Sequence, residues 1–372
     1  MDFIMSTGQP LLAFLVILTV LVFVHEWGHY IVARMNGVRV EVFSVGFGPE
    51  IWGFNDKHGT RWKISWVPLG GYLKFFGDAS EASTPDQRLL EMSEEEKAVS
   101  FHHKNLLQKS AIVFAGPAVN FLFAILIIAG MFFTYGRLVN LPVVGGVVED
   151  GAAIEAGIEA GDLILAIDGD PVESFRDITT RLMLKVKDDV SVSLLRGGTK
   201  HTFNFKLNVT ESTNLLGEKT EIRQIGIYSD PEAREVIEYN LYGALWQATI
   251  ETKNLTQDNL KGIKQILVGD RSPKELGGPI TIARVAGKTI DYGFVEFINF
   301  MALVSIGLGM INLFPIPMLD GGHLLYYAIE AIQRKKMSIK AQEFGFKIGA
   351  AVVLSLMVFV FYNDILRKFY SG

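Results

Sequence analysis

Leu11-Leu-Ala-Phe-Leu-Val-Ile-Leu-Thr-Val-Leu-Val-Phe-Val-His25-Glu26-Trp27-Gly28-His29 decides how this chain is read. Apart from Thr19, Leu11 to Val24 is apolar, and the pattern continues through Tyr30 to Ala33. A helix needs roughly 20 such residues to cross a bilayer, and this stretch supplies them. The His-Glu-x-x-His that follows puts three ionisable side chains inside the span, where a charged one costs on the order of 2–3 kcal/mol. Such groups are kept where they pair, bind a metal or line a wet cavity. On a helix, positions 25 and 29 stand one turn apart on one face. Both imidazoles can therefore reach one ion, at the about 2.0–2.1 Å of a nitrogen–zinc bond. Glu26 stands beside them, placed to take a proton from a water on that ion. The chain has no cysteine. That excludes a disulfide scaffold, a thiolate metal site and a cysteine nucleophile, so His, Asp or Glu must hold any metal. Two imidazoles and a carboxylate suit several divalent ions, zinc among them.

Three further apolar runs lie outward from this stretch. Ile112–Tyr135 has Asn120 as its most polar member, and Phe297–Leu319 is interrupted by Asn299, Ser305 and Asn312. Ile348–Tyr362 is shorter and extends to Phe344 and Leu366. The composition agrees. Apolar residues make up 49% before glycine is counted, and charged residues 20%, against roughly 45–50% with glycine and about 25% in soluble chains. A net charge of −5 leaves no basic footprint, so nucleic acid is excluded as a partner. The first ten residues carry no Lys or Arg, unlike a cleaved signal peptide. Segment 32–109 holds ten basic residues, and Arg334, Lys335, Lys336, Lys340 and Lys347 follow the third run. Basic residues mark the cytoplasmic side. The N-terminus and the insert between the second and third spans are then external, with only Arg367 and Lys368 against.

The fold class expected is a polytopic α-helical membrane protein: four transmembrane helices, a membrane-associated β element and one external PDZ domain of α+β type. The divisions are 1–36 for the first span with its His-Glu-x-x-His, 37–78 for a β-hairpin region, 79–109 for a cytoplasmic linker and 110–136 for the second span. The insert follows at 140–228, amphipathic membrane-surface helices at 232–292, the third transmembrane segment at 294–333 and the fourth at 344–367. Val38, Val40 and Val42 alternate with Arg39 and Glu41, and Trp62, Ile64 and Trp66 with Lys63 and Ser65, the period of strands. An open strand edge in lipid must be covered or completed by a partner. In the insert, Ala156-Gly-Ile-Glu-Ala-Gly-Asp-Leu-Ile-Leu-Ala-Ile-Asp-Gly-Asp-Pro-Val172 resembles the signature stretch of a PDZ domain, a fold that binds extended peptides by strand addition. Such a domain can equally be a cap with an empty groove. Val236-Ile237, Leu241, Leu245 and Thr249-Ile250 have the spacing of helices lying on a membrane surface.

A catalytic zinc takes three protein ligands and keeps one position open. The other conspicuous acid at the end of a span is Asp320, in Asn312-Leu-Phe-Pro-Ile-Pro-Met-Leu-Asp-Gly-Gly322. Pro315 and Pro317 each remove a donor and distort a helix, and Gly321 and Gly322 permit close approach. Unwound backbone at membrane depth is tolerated where protein buries it or a cavity adjoins it. The segment is therefore suited to bend a carboxylate towards His25 and His29, the alternative being a plain helix-end acid beside a kink. The two motifs also agree in depth. His25 follows an apolar run from an outside start, and Asp320 ends a run descending inward.

His-Glu-x-x-His in the first span, Gly116-Pro117-Ala118-x-Asn120 in the second, a PDZ insert and Asn-x-x-Pro-x-Pro-x-Leu-Asp-Gly-Gly in the third together resemble the site-2 protease family. The nearest branch is the RseP-like proteases of the bacterial plasma membrane. The best-known members carry two PDZ domains in tandem; this chain has room for one. The resemblance implies an intramembrane zinc metalloprotease in which His25, His29 and Asp320 hold Zn2+ and Glu26 is the general base and acid. Asn312, Pro315 and Pro317 would contact substrate, and the 38–76 region would pair with it. Implied partners are the lipid bilayer and single-pass transmembrane proteins already trimmed outside, such as anti-sigma factors, together with remnant signal peptides. The implied setting is envelope stress signalling in a bacterial inner membrane. His323 is read as supporting or structural, and His58, His102, His103 and His201 as surface residues. Two other readings fit the residues less well. A PDZ-bearing scaffold with a structural metal has no need of Glu26, and a zinc transporter needs ionisable groups that the second and fourth spans do not offer.

Overall fold

The computed structural model describes residues 2–78, 91–149, 151–213 and 219–370. Part of the acidic linker, 79–90, lies outside the described residues. The chain divides into one unit of residues 1–127 with 277–364, and a second of 128–276 with 365–372. Among the described residues four helices are long and apolar enough to cross a membrane: Gly8–Met35, Leu106–Tyr135, Phe294–Asn312 and Lys340–Leu366.

The first unit opens with α1 (Asp2–Met35), then β1 (Val40–Asn55), β2 (Arg61–Phe75), α2 (Glu94–Val99) and the start of α3 (Leu106–Tyr135). It resumes at α7 (Pro279–Tyr292), α8 (Phe294–Asn312), α9 (Asp320–Gln333) and α10 (Ile339–Tyr370). Ala13, Ile17 and Leu21 of α1 are buried together with Ala286 and Met301. Close approach there depends on Gly287, where a Cβ would stand 2.7 Å from Pro10 Cγ. The segment read as 294–333 is two helices, because residues 313–319 leave the helical path. Pro315 and Pro317 offer no N–H to continue it, and Met318 takes φ +91°.

β1 and β2 form more than a simple hairpin. Phe43 faces both Leu73 and Trp62, and Ser44 faces both Tyr72 and Lys63. Residues 42–45 are thus interior to the sheet. Trp52 faces Ile64 and Phe54 faces Trp62, so residues 50–55 and 71–75 form the two edges. Gly46, at φ +93°, has no room for a side chain, since a Cβ would lie 2.9 Å from the carbonyls of Ser65 and Val67. The inner face packs Phe43, Leu73 and Phe75 against Ala33 of α1 and Ile112 of α3. Asp56 locks the turn: Tyr30 Oη donates to it at 2.9 Å and Trp62 Nε1 at 3.0 Å. The backbone N–H groups of His58 and Thr60 donate as well. Burial pushes the Asp56 carboxyl up, but these donors outweigh it and hold the group at about 2.

In the second unit, the end of α3 leads to β3 (Arg137–Asn140), β4 (Val144–Val147), α4 (Ala152–Ala156), β5 (Leu163–Ile167), β6 (Asp170–Pro171), α5 (Phe175–Met183), β7 (Asp189–Arg196) and β8 (Thr199–Lys206). β9 (Asn208–Thr213), β10 (Lys219–Gln224), β11 (Ile227–Ser229), β12 (Arg234–Ile237) and α6 (Leu241–Val268) follow. The main sheet runs β6-β5-β7-β8. Ile164, Ile167, Ile178, Leu182, Val190, Val192 and Leu194 make its core. Asp168 and Gly169 both take positive φ, at 52° and 86°, as a two-residue hairpin turn demands. Val236-Ile237, read from spacing as helical, belong instead to β12, which pairs with β3. The ladder partner is a hundred residues away, and helical spacing over a few residues does not reveal it.

Candidate metal centre

Three polar side chains converge in the first unit. His25 and His29 project from one face of α1, and Asp320 is the first residue of α9. His25 Nε2 lies 3.2 Å from His29 Nε2 and 3.2 Å from Asp320 Oδ2, and His29 Nε2 lies 3.5 Å from the same oxygen. A tetrahedral centre with bonds near 2.0–2.1 Å spaces its ligand atoms about 3.3–3.4 Å apart, so the triangle has the size a zinc-like ion needs. Among the described residues this is the one group of three or more such side chains with that convergence.

The local chemistry fits a cation as well. His29 Nδ1 stands 2.8 Å from the carbonyl oxygen of Ile112. A carbonyl only accepts, so Nδ1 carries a proton, and in the neutral ring Nε2 keeps its lone pair. That lone pair faces Asp320 Oδ2, a buried oxygen with no hydrogen-bond partner among the described residues. Acceptors facing one another in a buried site repel unless a cation lies between them.

Glycines make the convergence possible. At Gly116 of α3 a Cβ would stand 2.2 Å from His29 Nε2 and 2.9 Å from His25 Cε1. At Gly28 it would stand 2.6 Å from the Ala115 carbonyl oxygen, so α1 and α3 touch backbone to backbone beside the rings. At Gly321 it would stand 2.3 Å from the carbonyl oxygens of Leu313 and Phe314. α9 therefore folds tightly back on the loop that delivers Asp320. Met318, at φ +91°, is a strained residue in that loop, a conformation costing about 1–3 kcal/mol that persists where its surroundings impose it. Gly349 of α10 supports the loop from behind; a Cβ there would collide with the Pro317 carbonyl.

Glu26 follows His25 on α1 and is half-buried. The sheet edge runs past it: a Cβ on Gly71 would lie 3.2 Å from Glu26 Cγ and 2.6 Å from Val22 Cγ1. Asn312 closes α8 and, with Pro315 and Pro317, leads into the loop before Asp320. His323 is not one of the three converging side chains, and its ring stands edge-on to Tyr326 at 6.5 Å. His58, His103 and His201 are exposed. His102 is half-buried rather than exposed: its Nε2 lies 2.7 Å from Oδ1 of the fully buried Asp78 side chain. Burial of this kind comes from tertiary packing, and nothing local in Phe101-His-His signals it. The spacing of residues also says nothing of the Ile112 carbonyl, the partner of His29.

Hydrolases that activate water on an ion held by two imidazoles and a carboxylate are the class to which such a donor set belongs. The chain matches the family described as peptidase family M50 over residues 13–356 and belongs to that family. It is a zinc metalloprotease. It is 44% identical to "Putative zinc metalloprotease R01501" of Rhizobium meliloti over 355 residues, covering 95% of each chain. A relative from Vibrio cholerae, also titled a zinc metalloprotease of that kind, is 32% identical over 453 aligned positions, covering 96% of this chain and 98% of its own. Among solved structures, the PDZ domain of an SdrC-like protein from Listeria monocytogenes is 26% identical, covering 27% of this chain and 93% of its own, with a TM-score of 0.20.

Proposed function

We propose that the protein is an intramembrane protease in which His25, His29 and Asp320 hold the zinc and Glu26 moves the proton. The reading rests on one observation above all: of the 3.2, 3.2 and 3.5 Å triangle of ligand atoms, two corners stand on α1, a helix apolar enough to span a bilayer, and the third follows α8, another such helix. Zinc, when bound, supplies a Lewis acid that polarises the scissile carbonyl and makes water acidic enough to attack near neutral pH. The Glu26 carboxylate takes the proton released and returns it to the leaving amine. Asn312 and the Pro315–Pro317 segment border the substrate beside Asp320.

A transmembrane helix resists cleavage while its amides are closed in the i→i−4 ladder. Once unwound in lipid, the freed groups need partners. The edge at residues 71–75, adjacent to Glu26 through Gly71, offers backbone groups to a substrate strand. The substrates that fit are single-pass membrane proteins already trimmed outside, anti-sigma factors and remnant signal peptides among them. That would place the enzyme in regulated intramembrane proteolysis and stress signalling at a bacterial plasma membrane. The insert at 140–228 acts as a PDZ module, external to the membrane, that binds peptide or excludes bulky ectodomains.

The test is cleavage of a tagged single-span substrate in membranes by Glu26→Gln, with and without a chelator. Loss of cleavage in both arms is expected. Undiminished cleavage by the variant removes Glu26 from the reaction, and absence of cleavage by the parent leaves the scaffold reading in its place.

A further inference from the structure

Asn120 is wholly buried, at 0% exposure, in the middle of an apolar helix. Its amide nitrogen lies 3.1 Å from His25 Nδ1. Its backbone carbonyl accepts the Ser305 hydroxyl at 2.8 Å, which ties α3 to α8 at the level of the rings. Its Oδ1 is buried with no hydrogen-bond partner among the described residues. A side-chain amide offers an acceptor at one end and donors at the other, and the two ends exchange by a half-turn.

His25 presents Nε2 to the triangle. A ligating nitrogen must be free of its proton, so the proton belongs on Nδ1 and calls for an acceptor. The Ile112 carbonyl has that role for His29. For His25 the group within reach is the amide of Asn120. We propose that Asn120 is a positioning residue: turned so that Oδ1 accepts from His25 Nδ1–H, it holds the ring in the tautomer and orientation that aim the Nε2 lone pair at the metal. The inference rests on the ligand assignment above. It adds that the metal's affinity depends on a residue of α3 that never touches it. The opposite orientation, nitrogen towards Nδ1, belongs to a ring protonated on Nε2, which cannot ligate. The amide's two ends therefore distinguish a binding-competent histidine from an incompetent one.

The experiment measures zinc affinity by chelator competition on the purified full chain in detergent, with thermal unfolding of the metal-free protein as a check on folding. Asn120→Ala should bind zinc about 10–100-fold more weakly, the usual cost of losing a partner behind a metal-bound histidine. Asn120→Asp keeps an acceptor of the same shape and should bind within a few-fold of the parent or more tightly. His25→Ala is the control for ligation itself and should lose zinc outright. If His25→Ala still binds as the parent does, the ligand assignment fails. If His25→Ala loses zinc while folded Asn120→Ala does not, the positioning role alone is overturned. Should Asn120→Ala fail to fold, Asn120→Asp decides: retained affinity supports the acceptor role, and a tenfold loss in folded protein refutes it.

Discussion

Gly116 of α3 and His29 of α1 are fitted to each other: the first side-chain carbon of any other residue at 116 would fall 2.2 Å from His29 Nε2. No rotation of the added methyl avoids that, because a Cβ is fixed to the backbone. Gly116→Ala must push α3 from α1 or turn the imidazole out of the site. The expected result is a loss of zinc affinity of at least tenfold, with destabilisation of about 1–3 kcal/mol as for other overpacked sites. Chelator competition and thermal unfolding read the two effects separately. An alanine variant that binds zinc like the parent would show that the two helices have slack.

Asp320 supplies the charged corner of the triangle. Asp320→Asn keeps the volume and replaces an anionic oxygen, 3.2 Å from His25 Nε2, by a neutral one. Zinc retained after gel filtration should fall from one equivalent to a small fraction, and proteolysis should fall with it. In the parent, a chelator should abolish cleavage and added zinc should restore it. Because ligands bind only when deprotonated, zinc retention in the parent should weaken as pH falls. Equal zinc retention by Asp320→Asn would contradict its place among the ligands.

Asp364 of α10 is buried at 2% exposure and caps α7. Its carboxylate accepts the backbone N–H of Gly278 at 2.9 Å, of Ile280 at 3.0 Å and of Thr281 at 3.2 Å, and the Thr281 hydroxyl at 2.6 Å. These are the orphan donors of a helix start, and hydrogen bonds to a charged group are each worth about 1.5–3 kcal/mol. Asp364→Ala should lower the unfolding temperature in detergent and open residues 277–281 to protease, without altering zinc stoichiometry. An unchanged digestion pattern would mean that the cap contributes little.

Asp56 gives the β element a defined acid limit. Its folded-state pKa of about 2 lies below the about 3.9 of an unfolded chain. A depressed carboxylate stabilises fully above the unfolded value, and its contribution is lost as pH falls through the folded one. Amide protection over residues 56–62 should hold steady down to roughly pH 4 and decline between there and about 2. In Asp56→Asn that decline should be absent, and protection lower throughout. A parent whose protection is flat down to pH 2 would refute the link.

The parts of this protein that one helical turn decides are legible in its residues. His25 and His29 share a face because they are four apart, and Glu26 must lie beside them. Pro315 and Pro317 break a helix wherever it is placed, so the interruption before Asp320 follows from their chemistry. The alternation around Trp62 announces strands. It does not announce that Phe43 meets both Leu73 and Trp62, since register depends on partners distant in the chain. His102 reads as an ordinary surface histidine until Asp78 is found buried against it.

By itself, then, the sequence determined the apolar helices, the paired imidazoles and the loop that breaks ahead of Asp320, all products of short-range geometry. Tertiary structure alone decided that Asp320 Oδ2 comes within 3.5 Å of both rings, that Gly116 leaves His29 its space, and that Asn120 stands behind His25. Those contacts join residues 87 to 295 positions apart in the chain. They are set by how closely backbones can approach at a few glycines, which no local pattern encodes.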